Sequence, residues 1–121
     1  MTSHKNQHFL RRLCFALSGL RHTLRTERSF RTQLVVLVLV MAGLAVLRPG
    51  PLWWAAVALA CAAVLGAELF NTAIEHLADH LHPQIHPQIQ IVKDCAAAAV
   101  LIASLGAGGV GVALLVHLIN K

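Results

Sequence analysis

The 121-residue chain is 57% hydrophobic and only 12% charged, with a mean hydropathy of +0.67. That composition excludes an ordinary soluble protein, and the length accommodates one domain. The formal net charge of +5 would suit nucleic acid, but stacking aromatics and a nucleic-acid motif are missing, so anionic lipid headgroups are the favoured partner.

The first 31 residues mix basic and apolar positions. Phe9, Leu10, Leu13, Leu17, Leu20 and Leu24 recur at steps of three and four, while Arg21, Arg25 and Arg28 fall on another face. This pattern predicts an amphipathic helix lying on a membrane surface, or simply a basic anchor that sets topology. No short apolar core follows the first charges directly, so a cleaved signal peptide is not expected. Residues 32–47 are uncharged and rich in Leu and Val, a little short for a bilayer core of about 30 Å unless Phe30 and Arg31 extend the helix into the headgroups. Arg48, Pro49, Gly50 and Pro51 form a tight turn, and Trp53 and Trp54 open the second span as an interfacial aromatic belt.

The second membrane helix is expected over 52–79, its helical pattern running past Glu68 to Asp79. A loop between His80 and Gln90 then holds a near repeat, HPQI twice, whose prolines argue against continuous helix. The third span is the uncharged run 95–119, with small residues that permit close helix approach. The fold class is therefore all-α and integral to the membrane: three transmembrane helices and an N-terminal amphipathic surface helix in a single domain. Cys14, Cys61 and Cys95 show no paired spacing and read as small buried hydrophobes. Three spans put the termini on opposite sides, and the basic excess before the first span places the N-terminus and the 76–93 loop in the cytoplasm.

The residues with chemical potential are concentrated in AELFNTAIEHLAD, residues 67–79. At 100° per residue, Glu68, Thr72, Glu75 and Asp79 fall within about 60° of one another, with Asn71 at the edge of the stripe. Glu68 lies about 16 Å along the helix from Asp79, deep enough that an ionisable group requires a partner or a wet cavity. One reading is a functional site; the other is a structural clamp in which these acids pair with arginines of the basic segment. Lys93 and Asp94 equally suit an interfacial anchor and a helix cap. His76 and His80, at i and i+4, could bind a transition metal, although no third ligand is evident.

AELFNTAIEHLAD followed by IVKDCAAAAVLIA resembles the small integral-membrane prokaryotic diacylglycerol kinase family, which includes the undecaprenol kinases, and GLRHTLRTERSFR is similar to that family's surface-helix motif. The resemblance covers nearly the whole chain. It implies a homotrimer in the bacterial inner (cytoplasmic) membrane, with a cytoplasmic active site that uses ATP and Mg2+ to phosphorylate a lipid hydroxyl. Carried over by position, Glu68 would be the general base, and Glu27 and Glu75 would hold the magnesium ion that bridges the nucleotide phosphates. His86, Lys93 and Asp94 would contact the nucleotide, Asn71, Thr72 and Asp79 would support the site, and Arg21 and Arg31 in the surface-helix motif would bind the lipid substrate.

This chain departs from the family pattern where Thr32 and Gln33 follow Arg31, since an acid usually stands there, and at Ala97, where many members carry Ser. The surface-helix stretch looks closer to the diacylglycerol branch, whereas Thr72 leans towards the undecaprenol kinases. The leading expectation is diacylglycerol phosphorylation to phosphatidic acid, with undecaprenol as the alternative acceptor. A non-enzymatic membrane subunit or small ion-coupled transporter is the competing class. A transporter would place its ionisable groups nearer the midplane, with access from both faces.

Overall fold

The computed structural model describes residues 8–121; the first seven residues, including Lys5 at the start of the basic segment, lie outside it. Four helices follow in order, α1 (Phe9–Thr26), α2 (Arg28–Leu47), α3 (Pro51–Leu81) and α4 (Pro87–Ile119), with no strand among the described residues. The last three are long and apolar enough to cross a membrane. The protein is all-α, with three candidate spans and a shorter amphipathic helix before them.

The basic segment is not one continuous helix. Glu27 adopts extended backbone angles, φ −101° and ψ 112°, and its N–H closes α1 on the Thr23 carbonyl at 2.8 Å. Arg28 and Arg31 consequently belong to α2 and do not continue the arginine face of α1. On α1 the apolar stripe from Phe9 to Leu24 is exposed, Arg21 and Arg25 lie outside that stripe, and Thr23 is buried. Such division suits a helix with one side against the bundle and another in the lipid interface.

A tight corner joins α2 to α3. Arg48 ends α2 in the left-handed region, at φ 49°, while Gly50 sits at φ 114° and Pro51 opens α3 with a preset helical φ. A Cβ at Gly50 would meet no neighbour, so the constraint there is purely torsional. Gly50→Ala is expected to cost about 1–3 kcal/mol, measured as a lowered unfolding midpoint in detergent; an unchanged midpoint would show that the corner relaxes freely.

Helices α3 and α4 have 31 and 33 residues, or roughly 46 and 50 Å, against a hydrocarbon core of about 30 Å. Both must project beyond the core. Counting about 20 residues from Pro51 places the hydrocarbon edge near Phe70, with Glu68 just inside and Glu75 and Asp79 in the headgroup region. The connection is only His82 to His86, shorter than the sequence pattern suggests. Only the first HPQI lies in it: the proline of the second, Pro87, begins α4, eight residues before the uncharged run. His86 caps that helix through Nδ1, which accepts from the Gln88 N–H at 3.1 Å, so Asp94, two turns further on, is not its cap.

α3 and α4 pack most intimately, α2 leans on α3, and α1 crosses the same end of the bundle. The buried apolar core is small: Phe30, Leu44, Val57, Ala78 and Ala96. Most large apolar side chains face outward, as expected where the surrounding solvent is lipid. For the same reason Cys14 and Cys95 are exposed and Cys61 half-buried, contrary to the expectation of three buried thiols: an apolar residue gains little from burial when its surroundings are already apolar.

Candidate active site

Glu68 is the only buried carboxylate of the described residues, 5% exposed. A buried charge requires hydrogen-bond partners, and here both come from the first turns of α2. Gln33 Nε2 donates to Glu68 Oε1 at 2.7 Å, and Ser29 Oγ donates to Oε2 at 3.3 Å. Both donors are neutral. The arginine clamp considered from sequence is not the arrangement found, since Ser29 and Gln33 occupy the two oxygens of the deepest acid. Thr72, one turn along the same face of α3, is also buried. Asn71 Oδ1 and Gln33 Oε1 are buried acceptors without a protein partner among the described residues.

A second cluster forms at the break between α1 and α2. The extended backbone at Glu27 directs its carboxylate towards α3, where Oε1 lies 3.7 Å from His76 Nε2. His76 also meets His22 of α1 edge-on, with ring centroids 5.4 Å apart. Since Glu75 precedes His76, the contact brings Glu27 to the turn of α3 that bears Glu75. The break is stapled by Arg31, whose Nη1 donates to the carbonyls of Leu24 and Arg25 at 3.1 and 2.9 Å. Those are end-of-helix carbonyls that α1 itself leaves unpaired. Arg31 therefore fixes the angle between surface helix and membrane helix, whereas Arg21 is exposed and has no hydrogen-bond or ion-pair partner among the described residues.

The third cluster joins the projecting ends of α3 and α4. Lys93 Nζ donates to Asp79 Oδ1 at 2.5 Å, and Asp94 accepts from Gln90 Nε2 at 2.8 Å within α4. The His82 and His86 rings lie 5.3 Å apart. Asp79, His86, Gln90 and Lys93 line a polar cleft of about 70 Å³ at the loop. A much larger apolar cavity, about 360 Å³, runs between α2, α3 and α4; its wall includes Val36, Val57, Val64, Ala107 and Leu114, and Gln33 is among its few polar lining residues.

Glu68, Glu27 and the Asp79–Lys93 pair thus centre three clusters, each built from more than one element, while Arg21 joins none of them. Magnesium commonly uses one or two carboxylates together with phosphate oxygens. Glu27 and Glu75 are carboxylates of the type such a site would use, and no three His, Cys, Asp or Glu side chains among the described residues form a closed metal cage. Ser29 and Gln33 carry no charge, and the sequence marks only Gln33, as a departure from the family pattern and not as a partner of Glu68. Their spacing of i, i+4 on the first turns of an otherwise apolar helix was the available signal.

Residues 14–115 match the prokaryotic diacylglycerol kinase family. A protein of Synechocystis sp. named diacylglycerol kinase is 36% identical over 102 residues, which cover 84% of this chain and 58% of that relative. The present chain thus spans somewhat more than half the length of its relative. With a family match running from within α1 almost to the end of α4, over helices that carry all three clusters, the chain belongs to the prokaryotic diacylglycerol kinase family and is a multi-pass membrane protein.

Proposed function

We propose that the protein is a lipid kinase that transfers the γ-phosphoryl group of ATP to the hydroxyl of diacylglycerol, giving phosphatidic acid, with undecaprenol as the alternative acceptor. The observation that carries this reading is the placement of Glu68: a buried carboxylate at the edge of the membrane core, hydrogen-bonded to the residue that lines an apolar cavity. A lipid alcohol has the matching shape, an apolar chain ending in a hydroxyl. The family match and the name of the relative support the same activity.

In this mechanism Glu68 accepts the hydroxyl proton as the lipid oxygen bonds to the γ-phosphorus and the bond from phosphorus to the bridging oxygen breaks, releasing ADP. Glu27 and Glu75 would hold magnesium, which when bound offsets phosphate charge. Lys93 would leave the exposed carboxylate of Asp79 for a nucleotide phosphate, exchanging one ion pair for another, while His86 and Asp94 border the nucleotide. Asn71 and Thr72 would support Glu68 from the same helix, and Arg21 would meet a lipid headgroup at the interface. Arg31 would act on the substrate indirectly, by holding α1 over the site. The basic side chains before the first span favour a cytoplasmic N-terminus and active site in the bacterial inner membrane, and a homotrimer would bring clusters of neighbouring protomers together.

The direct test is purified protein in lipid bilayers with MgATP, offered diacylglycerol and undecaprenol in separate reactions, with formation of lipid phosphate followed. Transfer to diacylglycerol at the higher kcat/KM is the expected result. Preference for undecaprenol would reassign the substrate, and no transfer to either from a folded preparation would sink the kinase reading in favour of a subunit or transporter.

A further inference from the structure

The two oxygens of Glu68 are not equivalent. Oε1 accepts a 2.7 Å hydrogen bond from Gln33, whose own side-chain oxygen is buried. Oε2 accepts a longer bond, 3.3 Å, from the hydroxyl of Ser29, an exposed residue. The orientation of the Gln33 amide follows from chemistry, because a carboxylate only accepts and the NH2 group must face it. Ser29 and Gln33 are one turn apart on α2, so a single helix face presents a short buried donor to one oxygen and a long accessible donor to the other. Competing hydroxyls displace the second kind of bond far more readily than the first.

We propose that Gln33 is a positioning residue that fixes Oε1 and leaves Oε2 as the proton-accepting oxygen, and that the Ser29 hydroxyl holds the place of the lipid hydroxyl until substrate arrives. The inference rests on the lipid kinase reading. The incoming alcohol displaces Ser29 and donates its hydrogen bond to Oε2. As its oxygen bonds to the γ-phosphorus and the bond to the ADP leaving group breaks, the alcohol proton moves onto Oε2, while Gln33 keeps the carboxylate from rotating away. Misplacing a reacting group by about 1 Å can cost about 100-fold in rate, so the amide acts through alignment alone. Gln33 also lines the apolar cavity, which puts the same side chain at the junction between the space for a lipid chain and the carboxylate that would meet its hydroxyl.

The two variants should separate in kinetics. Gln33→Leu, close in size but without the donor, is expected to lower kcat about 10- to 100-fold, with MgATP binding and lipid KM within about threefold of wild type. Ser29→Ala removes an internal competitor and is expected to raise kcat/KM for the lipid about two- to tenfold, the worth of one ordinary hydrogen bond. A merely structural Gln33 would lower MgATP binding along with turnover. Should Gln33→Leu fail to bind MgATP, Gln33→Met, which retains the length of the side chain and lacks the donor, is judged on the same criterion. Wild-type kcat in the Gln33 variant, or loss of kcat by tenfold or more in Ser29→Ala, overturns the assignment. Glu68→Gln in the same assay keeps the two levels apart. Activity in that variant removes the base itself, whereas an inactive Glu68→Gln beside a fully active Gln33→Leu refutes only the positioning role.

Discussion

Replacing Glu68 with glutamine is expected to lower phosphoryl transfer by about 10²- to 10⁴-fold, the usual contribution of a positioned general base, while leaving MgATP binding intact. The substitution preserves volume, and the new side chain still offers an oxygen to Gln33 and a nitrogen to Ser29, so the ends of α2 and α3 should remain joined. What disappears is a basic oxygen at the edge of the membrane core. Rates of lipid phosphate formation, together with retention of a fluorescent nucleotide, check both halves of the expectation. A variant with wild-type turnover would exclude Glu68 from proton transfer, and one that loses nucleotide binding would instead place it in the architecture of the site. The expectation follows from burial and partners: of the five acids in the chain, only this one is both buried and hydrogen-bonded through each oxygen.

Glu75→Gln should have the next largest effect. Glu27 is brought to the 75–76 turn of α3 by its contact with His76, and in the proposed mechanism the two carboxylates, from two elements, would hold the divalent ion together with phosphate oxygens. Neutralising one member is expected to raise the magnesium concentration needed for half-maximal nucleotide binding by about 10- to 100-fold, at least the loss seen when a supporting ligand is removed. Titrating magnesium against bound nucleotide measures this without reference to turnover. An unchanged midpoint would take Glu75 out of the proposed metal site.

Both expectations depend on an arrangement that helix geometry supplies only in part. The stripe Glu68, Thr72, Glu75 and Asp79 could be read directly from spacing, because a single α-helix repeats every 3.6 residues and carries its polar face with it. The three spans were legible for a similar reason, since the bilayer demands long uncharged runs and leaves few alternatives. By contrast, the break at Glu27 was obscured by an apolar periodicity that continues almost across it. The start of α4 at Pro87 was hidden by the second HPQI, whose proline opens a helix as readily as it ends one.

What the amino-acid sequence determined by itself was the class of protein, the number of spans, the end of the second span at which the acids gather and their order along it, with Glu68 furthest from the loop. Those properties follow from hydropathy and local periodicity, each decided within a few turns of one helix. Only the tertiary structure decided what each group meets. Glu68 is held by Ser29 and Gln33, which are 39 and 35 residues away in sequence, Lys93 closes on Asp79 across the α3–α4 connection, and Arg31 folds back onto the end of α1. The partners of Glu68 and Asp79 are matters of interhelical register, set by how α2 and α4 pack against α3, while that of Arg31 depends on the angle at the Glu27 break. No periodicity within one helix encodes either.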